Sequence, residues 1–340
     1  MAQQLNALQS MQEQLLALQN QINHAMEEKK QAEELQYKGK NMKVVLIIGN
    51  KQEFVTDTDH LFHKDHGNTL FLSTFLAKEK KEDEGSNDDE QHSKSNLAGI
   101  RNEACIRLEF PRNPGWFQYI IDYLSGYNLE HALRELSVVQ LERLQNDAMY
   151  YRLNTWLNVV TQALYARFNP YLGSPFIELK KNATVAVRSS VNTDVWQSTA
   201  VYGALYGTST RYVEINMVSE ISKHVMLGVT EAEQFRVASY PGGTAFAGCS
   251  YYCANGYMYR SASSEGWGEA SGCGDKVGAL VKLNRESDMA TIAFYKNGVL
   301  LKEEINLKNY MDVSKGVVFV VGLYNANEYV QLVQNPVVPQ

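Results

Sequence analysis

Residues 104–127 read ACIRLEFPRNPGWFQYIIDYLSGY, and no other stretch restricts the possible folds of the chain as tightly. Cys105, Arg107 and Glu109 alternate with Ile106, Leu108 and Phe110, the period-two pattern of a strand with one buried face. Asn113 and Pro114 then supply an N-cap and a proline in the first turn, a strong helix-start signal. Phe117, Ile120, Ile121 and Leu124 recur at helical spacing and give one apolar stripe. Gly126 stands where a left-handed residue would end the helix. Strand, proline turn and amphipathic helix form a compact unit that needs packing partners on both sides.

The 340 residues suffice for two domains with sizeable cores. A net charge of -6 and a pI near 5.7 lack the basic face that nucleic acid requires, so no nucleic-acid partner is expected. No apolar run approaches the roughly 20 residues of a membrane span, so no membrane partner is expected. The glutamine-rich start is unlike a signal peptide. The expectation is a cytoplasmic protein, with the nucleus as a second compartment. Cys249, Cys253 and Cys273 lie in glycine-rich sequence without the paired spacing of a zinc site, and a secreted disulfide framework would be denser. No metal and no cofactor is expected.

Residues 1–36 have the spacing of a coiled-coil helix: Leu8, Met11, Leu15, Leu18, Ile22 and Ala25 alternate at three and four. The uncharged flanks Gln12, Gln14, Gln19 and Gln21 encode no preference for a different partner, so a parallel homo-oligomer is the simplest reading. A helix docked on its own domain is the alternative. His60, His63 and His66 crowd beside Asp57, Asp59 and Asp65, but their spacing drifts around a helix axis and reads as a polar loop. The segment 78–95 has no apolar residue and reads as a disordered acidic insert. Leu141, Leu144, Ala148, Tyr151 and Trp156 keep helical spacing, and Pro170, Gly173 and Pro175 mark a boundary.

Beyond Pro175 the texture changes to short alternating runs divided by glycine and asparagine, as in an all-β sandwich. Val213, Ile215 and Met217 alternate with Tyr212, Glu214 and Asn216; Asn297-Gly298 between apolar runs is a two-residue hairpin signal; Val317–Leu323 reads as a strand buried on both faces. Gly266, Gly268, Gly272 and Gly274 lead into a strand, so they read as tight turns and not as a phosphate loop. No nucleophile elbow and no catalytic carboxylate pair is present, and the chain is not expected to be an enzyme. Tyr240, Tyr251, Tyr252, Tyr257, Tyr259 and Trp267 fall between the strand landmarks. Of these, Tyr240, Tyr257, Tyr259 and Trp267 are the expected partner-binding residues, on the reading that they sit in loops.

Two resemblances carry the functional expectation. Pro111-Arg112-Asn113-Pro114 and the helix Phe117-x-x-Ile120-Ile121-x-Tyr123-Leu124 resemble the potassium-channel tetramerisation class of BTB domain. The opening strand Val44–Ile48 with Gly49-Asn50, the run Phe54-Val55-Thr56, and the closing helix Leu144–Leu153 are similar to the same family. Asn50 and Asn113 depart from its pattern, standing where it has glycine and aspartate. Further on, Tyr212-Val213-Glu214-Ile215, Met226–Thr230, Gly274-Asp275 leading into Lys276–Leu280, Phe294-Tyr295-Lys296-Asn297-Gly298 and Val320–Leu323 resemble a SPRY domain, with Val213 where tryptophan is usual.

The expected fold is therefore multidomain. A coiled-coil helix at 1–36 precedes an α/β BTB-type domain at 40–157 that carries the insert. A helical connector at 158–175 then leads to an all-β SPRY-like sandwich at 176–335. The resemblances imply an oligomeric adaptor that binds itself through the BTB-like domain and an unknown protein or peptide through the SPRY-like domain. They imply the role of substrate receptor for a cullin-3 RING ubiquitin ligase, with Phe71, Phe75 and Leu76 on the cullin-facing helix. A homo-oligomeric scaffold that never meets a cullin is the alternative.

Overall fold

The computed structural model describes residues 43–49, 52–61, 69–71, 73–74, 105–190, 195–218, 224–244 and 247–339. The expected coiled coil, the acidic insert, and Phe75 and Leu76 lie outside the described residues. The chain divides into two units, Met1–His131 with Arg143–Val160, and Ala132–Glu142 with Thr161–Gln340. No helix among the described residues is long and apolar enough to cross a membrane.

In the first unit, strands β1 (Lys43–Ile48) and β2 (Gln52–Asp57) pair antiparallel, and β1 pairs parallel with β3 (Cys105–Phe110), in the order β2-β1-β3. A short helix α1 (Thr58–Leu61) follows β2. Behind β3, Asn113 caps a single 3-10 turn, its Oδ1 accepting the Gly115 N–H at 2.9 Å, and the turn runs into α2 (Phe117–Leu124). The four stripe residues Phe117, Ile120, Ile121 and Leu124 are all buried, and Gly126 takes a φ of 81° after the helix. Helices α3 (Glu130–Glu135), α4 (Val138–Tyr150) and α5 (Asn154–Tyr165) come next in the chain, and the division between the units falls within them, Ala132–Glu142 and the residues from Thr161 on belonging to the second. The core of this unit is aromatic. Phe71 stacks on Tyr151 with centroids 4.8 Å apart, and Phe110 and Phe117 meet the same tyrosine edge-on at 5.6 and 5.3 Å. Arg112 closes the proline turn onto α4, lying 3.3 Å from Asp147 and 4.3 Å above the Tyr150 ring.

The second unit is a two-sheet β-sandwich. Its strands are β4 (Phe168–Gly173), β5 (Ile177–Lys180), β6 (Val185–Arg188), β7 (Gln197–Val201), β8 (Ser209–Met217) and β9 (Val225–Glu231). They continue with β10 (Cys249–Tyr252), β11 (Tyr257–Arg260), β12 (Ser263–Gly266), β13 (Lys276–Asn284) and β14 (Met289–Lys296). Strands β15 (Val299–Leu300), β16 (Ile305–Asn306), β17 (Val317–Leu323) and β18 (Tyr329–Leu332) complete the set. One sheet runs β12-β11-β10-β9-β17-β7-β4, the other β15-β14-β13-β8-β18-β6-β5, with β16 beside β14. Side chains of both sheets meet in one core that includes Leu227, Val229, Phe319 and Val321 from the first and Val213, Ile215, Ala279 and Phe294 from the second.

Three sequence landmarks appear as expected. Every residue of β17 is buried, as is every residue of β9 beside it, because these two central strands are covered on both faces. The β14–β15 hairpin turns at Asn297 and Gly298 with φ of 52° and 80°, the mirror-image turn that matches strand twist. The inward set Val213, Ile215 and Met217 lies in the core.

The expected helical connector at 158–175 is corrected. The helix α5 ends at Tyr165, and Phe168–Gly173 is the edge strand β4. Phe168 is drawn into the sandwich core, and an edge position with an irregular register tolerates Pro170, which has no N–H for a ladder. The buried Arg167 just before it donates to the carbonyls of Arg134 at 2.8 Å and Leu133 at 3.4 Å, and so caps the end of α3.

Candidate functional site

Four adjacent strands of the first sheet, β10-β9-β17-β7, reach the same end of the sandwich with an aromatic residue each. The antiparallel registers Tyr252↔Met226, Val225↔Leu323 and Leu323↔Gln197 bring together the end of β10, the start of β9, the end of β17 and the start of β7. Tyr252 closes β10, His224 precedes β9, Tyr324 follows β17 and Trp196 precedes β7. Strand alternation turns Tyr252 away from the core, whereas its neighbour Tyr251 is fully buried.

Trp196 is the hub. Its ring lies 5.2 Å from Tyr240, 5.6 Å from Tyr252 and 5.2 Å from Tyr324. It rests over β17 at Gly322, where a Cβ would stand 3.3 Å from the indole. Tyr259 on β11 extends the group, 5.6 Å from Tyr240 and 5.9 Å from Tyr252, and His224 approaches Tyr252 and Tyr324 at 5.8 and 5.9 Å. The Nδ1 of His224 is also in hydrogen-bond contact with the Tyr252 hydroxyl. Trp196, Tyr240, Tyr252, Tyr259 and Tyr324 are half-buried and His224 is exposed, so the cluster presents ring edges and hydroxyls to solvent.

The segment after β9 holds Tyr240 in place. The Ser198 N–H donates to the Val237 carbonyl at 2.8 Å, and the Ser198 hydroxyl bonds the carbonyl of Ser239. The Ser250 hydroxyl donates to the Pro241 carbonyl at 2.7 Å. Gly242, at φ 78°, passes so near β11 that a Cβ would fall 2.3 Å from the Tyr259 carbonyl oxygen. Burial, reinforced by Tyr259, pushes the Tyr252 phenol up to about 12, and the same causes raise Tyr240. Both stay neutral at physiological pH and present O–H donors.

The expected site residues separate. Tyr240 and Tyr259 belong to the cluster. Tyr257 lies opposite Tyr252 in register and is 42 % exposed, with no ring contact among the described residues. Trp267 is corrected from a partner-binding residue to a core residue. It is 4 % exposed, with Lys302 lying 4.4 Å and Arg260 5.8 Å from its ring. The loop reading holds for Tyr240 and is corrected for Tyr257 and Tyr259, because Cys249–Tyr252 and Tyr257–Arg260 form a hairpin. Phe71, expected to face a cullin, is fully buried in the aromatic core of its own unit, while Phe75 and Leu76 lie outside the described residues. Sequence reasoning passed over Trp196, His224 and Tyr324, whose common signal is an aromatic ring immediately flanking a buried strand.

Among the described residues no group of three His, Cys, Asp or Glu side chains stands close enough to hold a metal. Cys249 and Cys253 are buried and free; burial pushes the Cys249 thiol up to about 12 and raises Cys253 further, which suits packing and not nucleophilic chemistry.

No family model and no curated protein matches the chain. Among solved structures it is similar to a human SPRY domain at 18 % identity and a TM-score of 0.39, over 48 % of this chain and 98 % of that one. It is also similar to the SPRY domain of human HERC1, at 15 % identity and 0.38, over 50 % and 99 %. A third is the TRIM65 PSpry domain, at 11 % identity and 0.37, over 49 % and 88 %.

Proposed function

We propose that the chain is an oligomeric adaptor whose β-sandwich docks a protein partner on the aromatic cluster centred on Trp196. The observation that carries this is the cluster itself. Rings from four strand ends and one covering segment are joined by T-shaped and tilted contacts, held by a rigid sheet, and left half open. Large amphipathic side chains on a rigid base bury area at little entropic cost, which is what interaction hot spots require.

The test is alanine substitution of Trp196, Tyr252 and Tyr324, with thermal unfolding and site-directed photo-cross-linking from position 257 beside the cluster. The reading requires cross-links to a partner that disappear in the substituted, still folded chain. Cross-links that persist unchanged would refute it.

For the first half, the strand–proline turn–helix unit and the β2-β1-β3 sheet support a self-associating BTB-like domain. Replacing Leu15 and Leu18 by Asp then weakens association, since each buried heptad position would carry an unpaired charge. Recruitment of cullin-3 is the role the family resemblance adds. Co-elution of the purified chain with purified cullin-3 tests it, and separate elution leaves a homo-oligomeric scaffold.

A further inference from the structure

On the opposite sheet, β8 turns Tyr212 and Glu214 to the outer face, because Arg211, Val213 and Ile215 turn inward. Both line a cavity of about 670 Å3, with Tyr165, Tyr206, Leu205 and Pro336 among its walls. Glu214 is 7 % exposed and its Oε1 accepts the Tyr212 hydroxyl at 3.0 Å. No Lys, Arg or His among the described residues pairs with it, and its other oxygen accepts no hydrogen bond there. A carboxylate so far removed from water is costly without a compensating charge.

The arrangement around it is built, not incidental. Gly278 stands opposite Glu214 on β13, and a Cβ there would lie 2.0 Å from the Tyr212 hydroxyl oxygen. The missing side chain lets the phenol lie across the neighbouring strand and reach the carboxylate. Tyr295 meets the same ring edge-on at 5.7 Å and fixes its plane. Arg211, which lines the same cavity, is engaged elsewhere: it donates to the carbonyls of Tyr165, Tyr202 and Gly203 at 2.6, 2.8 and 3.0 Å, and lies over the rings of Tyr165 and Phe319.

We propose that Glu214 and Tyr212 form a recognition site for a cationic side chain, the ammonium of a lysine or the guanidinium of an arginine. The free carboxylate oxygen would accept the charged N–H, and the exposed ring of Tyr206 offers a face for the cation or its stem. A cavity of this volume accommodates one such side chain with its flanking backbone. The site lies on the other sheet from the Trp196 cluster and does not depend on it.

The test uses the full chain and four small probes observed by saturation-transfer NMR: the N-acetyl amides of arginine and lysine, and their neutral counterparts from citrulline and norleucine. At least one charged probe should bind tenfold or more tighter than its neutral counterpart. Glu214→Gln should reduce it to the neutral level. Should that variant fail to fold, Tyr206→Ala, at an exposed position, should weaken the charged probe at least threefold. Equal binding of charged and neutral probes by the unsubstituted chain would overturn the proposal. So would unchanged binding by folded Glu214→Gln, or by Tyr206→Ala where that variant is the one that decides.

Discussion

Asp275 and Asn297 clasp one another at the head of the β13–β14 pair. The Asn297 amide donates to Asp275 Oδ1 at 2.9 Å, while Asn297 Oδ1 accepts the Lys276 N–H at 2.8 Å. Asp275 Oδ2 accepts the Gly272 N–H at 2.9 Å, and Lys296 lies 3.7 Å away. The Gly-Asp and Asn-Gly landmarks, distant in sequence, are thus two halves of one lock on the hairpin register.

A pH dependence follows from that lock. Burial pushes the Asp275 carboxyl up, but the hydrogen bonds from Asn297 and Gly272 and the charge of Lys296 outweigh it and hold the group below its ordinary 3.8. A carboxyl depressed in the folded state contributes its full stability above the unfolded value, and loses it as pH falls through the folded one. Asp275→Asn should cost roughly 1 kcal/mol at pH 7. In urea unfolding the gap from wild type should close as pH drops below 3.8. A gap constant down to the acid limit would show that the charge is not involved.

Much of this was legible in the sequence because it is local. The alternation of β8, the apolar run of β17, the Asn297-Gly298 turn and the Asn113 cap each depend on residues a few positions apart. The aromatic cluster was not legible, since Trp196, Tyr252 and Tyr324 meet only once the order β10-β9-β17-β7 is known. Tyr257 and Trp267 look alike in sequence, each aromatic amid glycines. Their fates diverge because Tyr257 falls on the outward parity of β11, whereas the chain past β12 turns Trp267 into the core under Lys302. Pro170 hid β4, because a proline reads as a break until the strand is known to be an edge.

That divergence makes a paired test. Trp267→Ala should cost roughly 3–5 kcal/mol, the range for an aromatic removed from a core. Tyr257→Ala should stay within roughly 0.5 kcal/mol, as for an exposed site without partners. Differential scanning calorimetry of both variants decides. Equal losses would mean that Tyr257 packs against something beyond the residues described.

Arg211 sets a second stability test. Burial lowers its guanidinium to about 10, and three backbone carbonyls accept hydrogen bonds from its N–H groups. Arg211→Met keeps much of the apolar stem and strands those carbonyls, each costing roughly 1–3 kcal/mol when left unsatisfied. Arg211→Lys should recover only part of the loss, because an ammonium lacks the planar fork and the ring stacking on Tyr165. Full rescue by lysine would reduce the role of Arg211 to charge alone.

Within the second unit, Glu142 accepts two phenols, Tyr202 at 2.8 Å and Tyr171 at 3.0 Å. The two contacts look equivalent, yet they should not weigh equally. Tyr171 is 63 % exposed, so water replaces its hydrogen bond when the hydroxyl is removed. Tyr202 is half-buried, and burial together with the Glu142 carboxylate raises its phenol well above the usual range, so its hydrogen bond is less open to replacement by solvent. Tyr202→Phe should therefore destabilise by roughly 1–2 kcal/mol, while Tyr171→Phe leaves the melting temperature unmoved. In the double variant the Tyr202 loss should persist unchanged, because the exposed contact had little to add. A double variant far less stable than Tyr202→Phe alone would show instead that the two phenols hold Glu142 cooperatively.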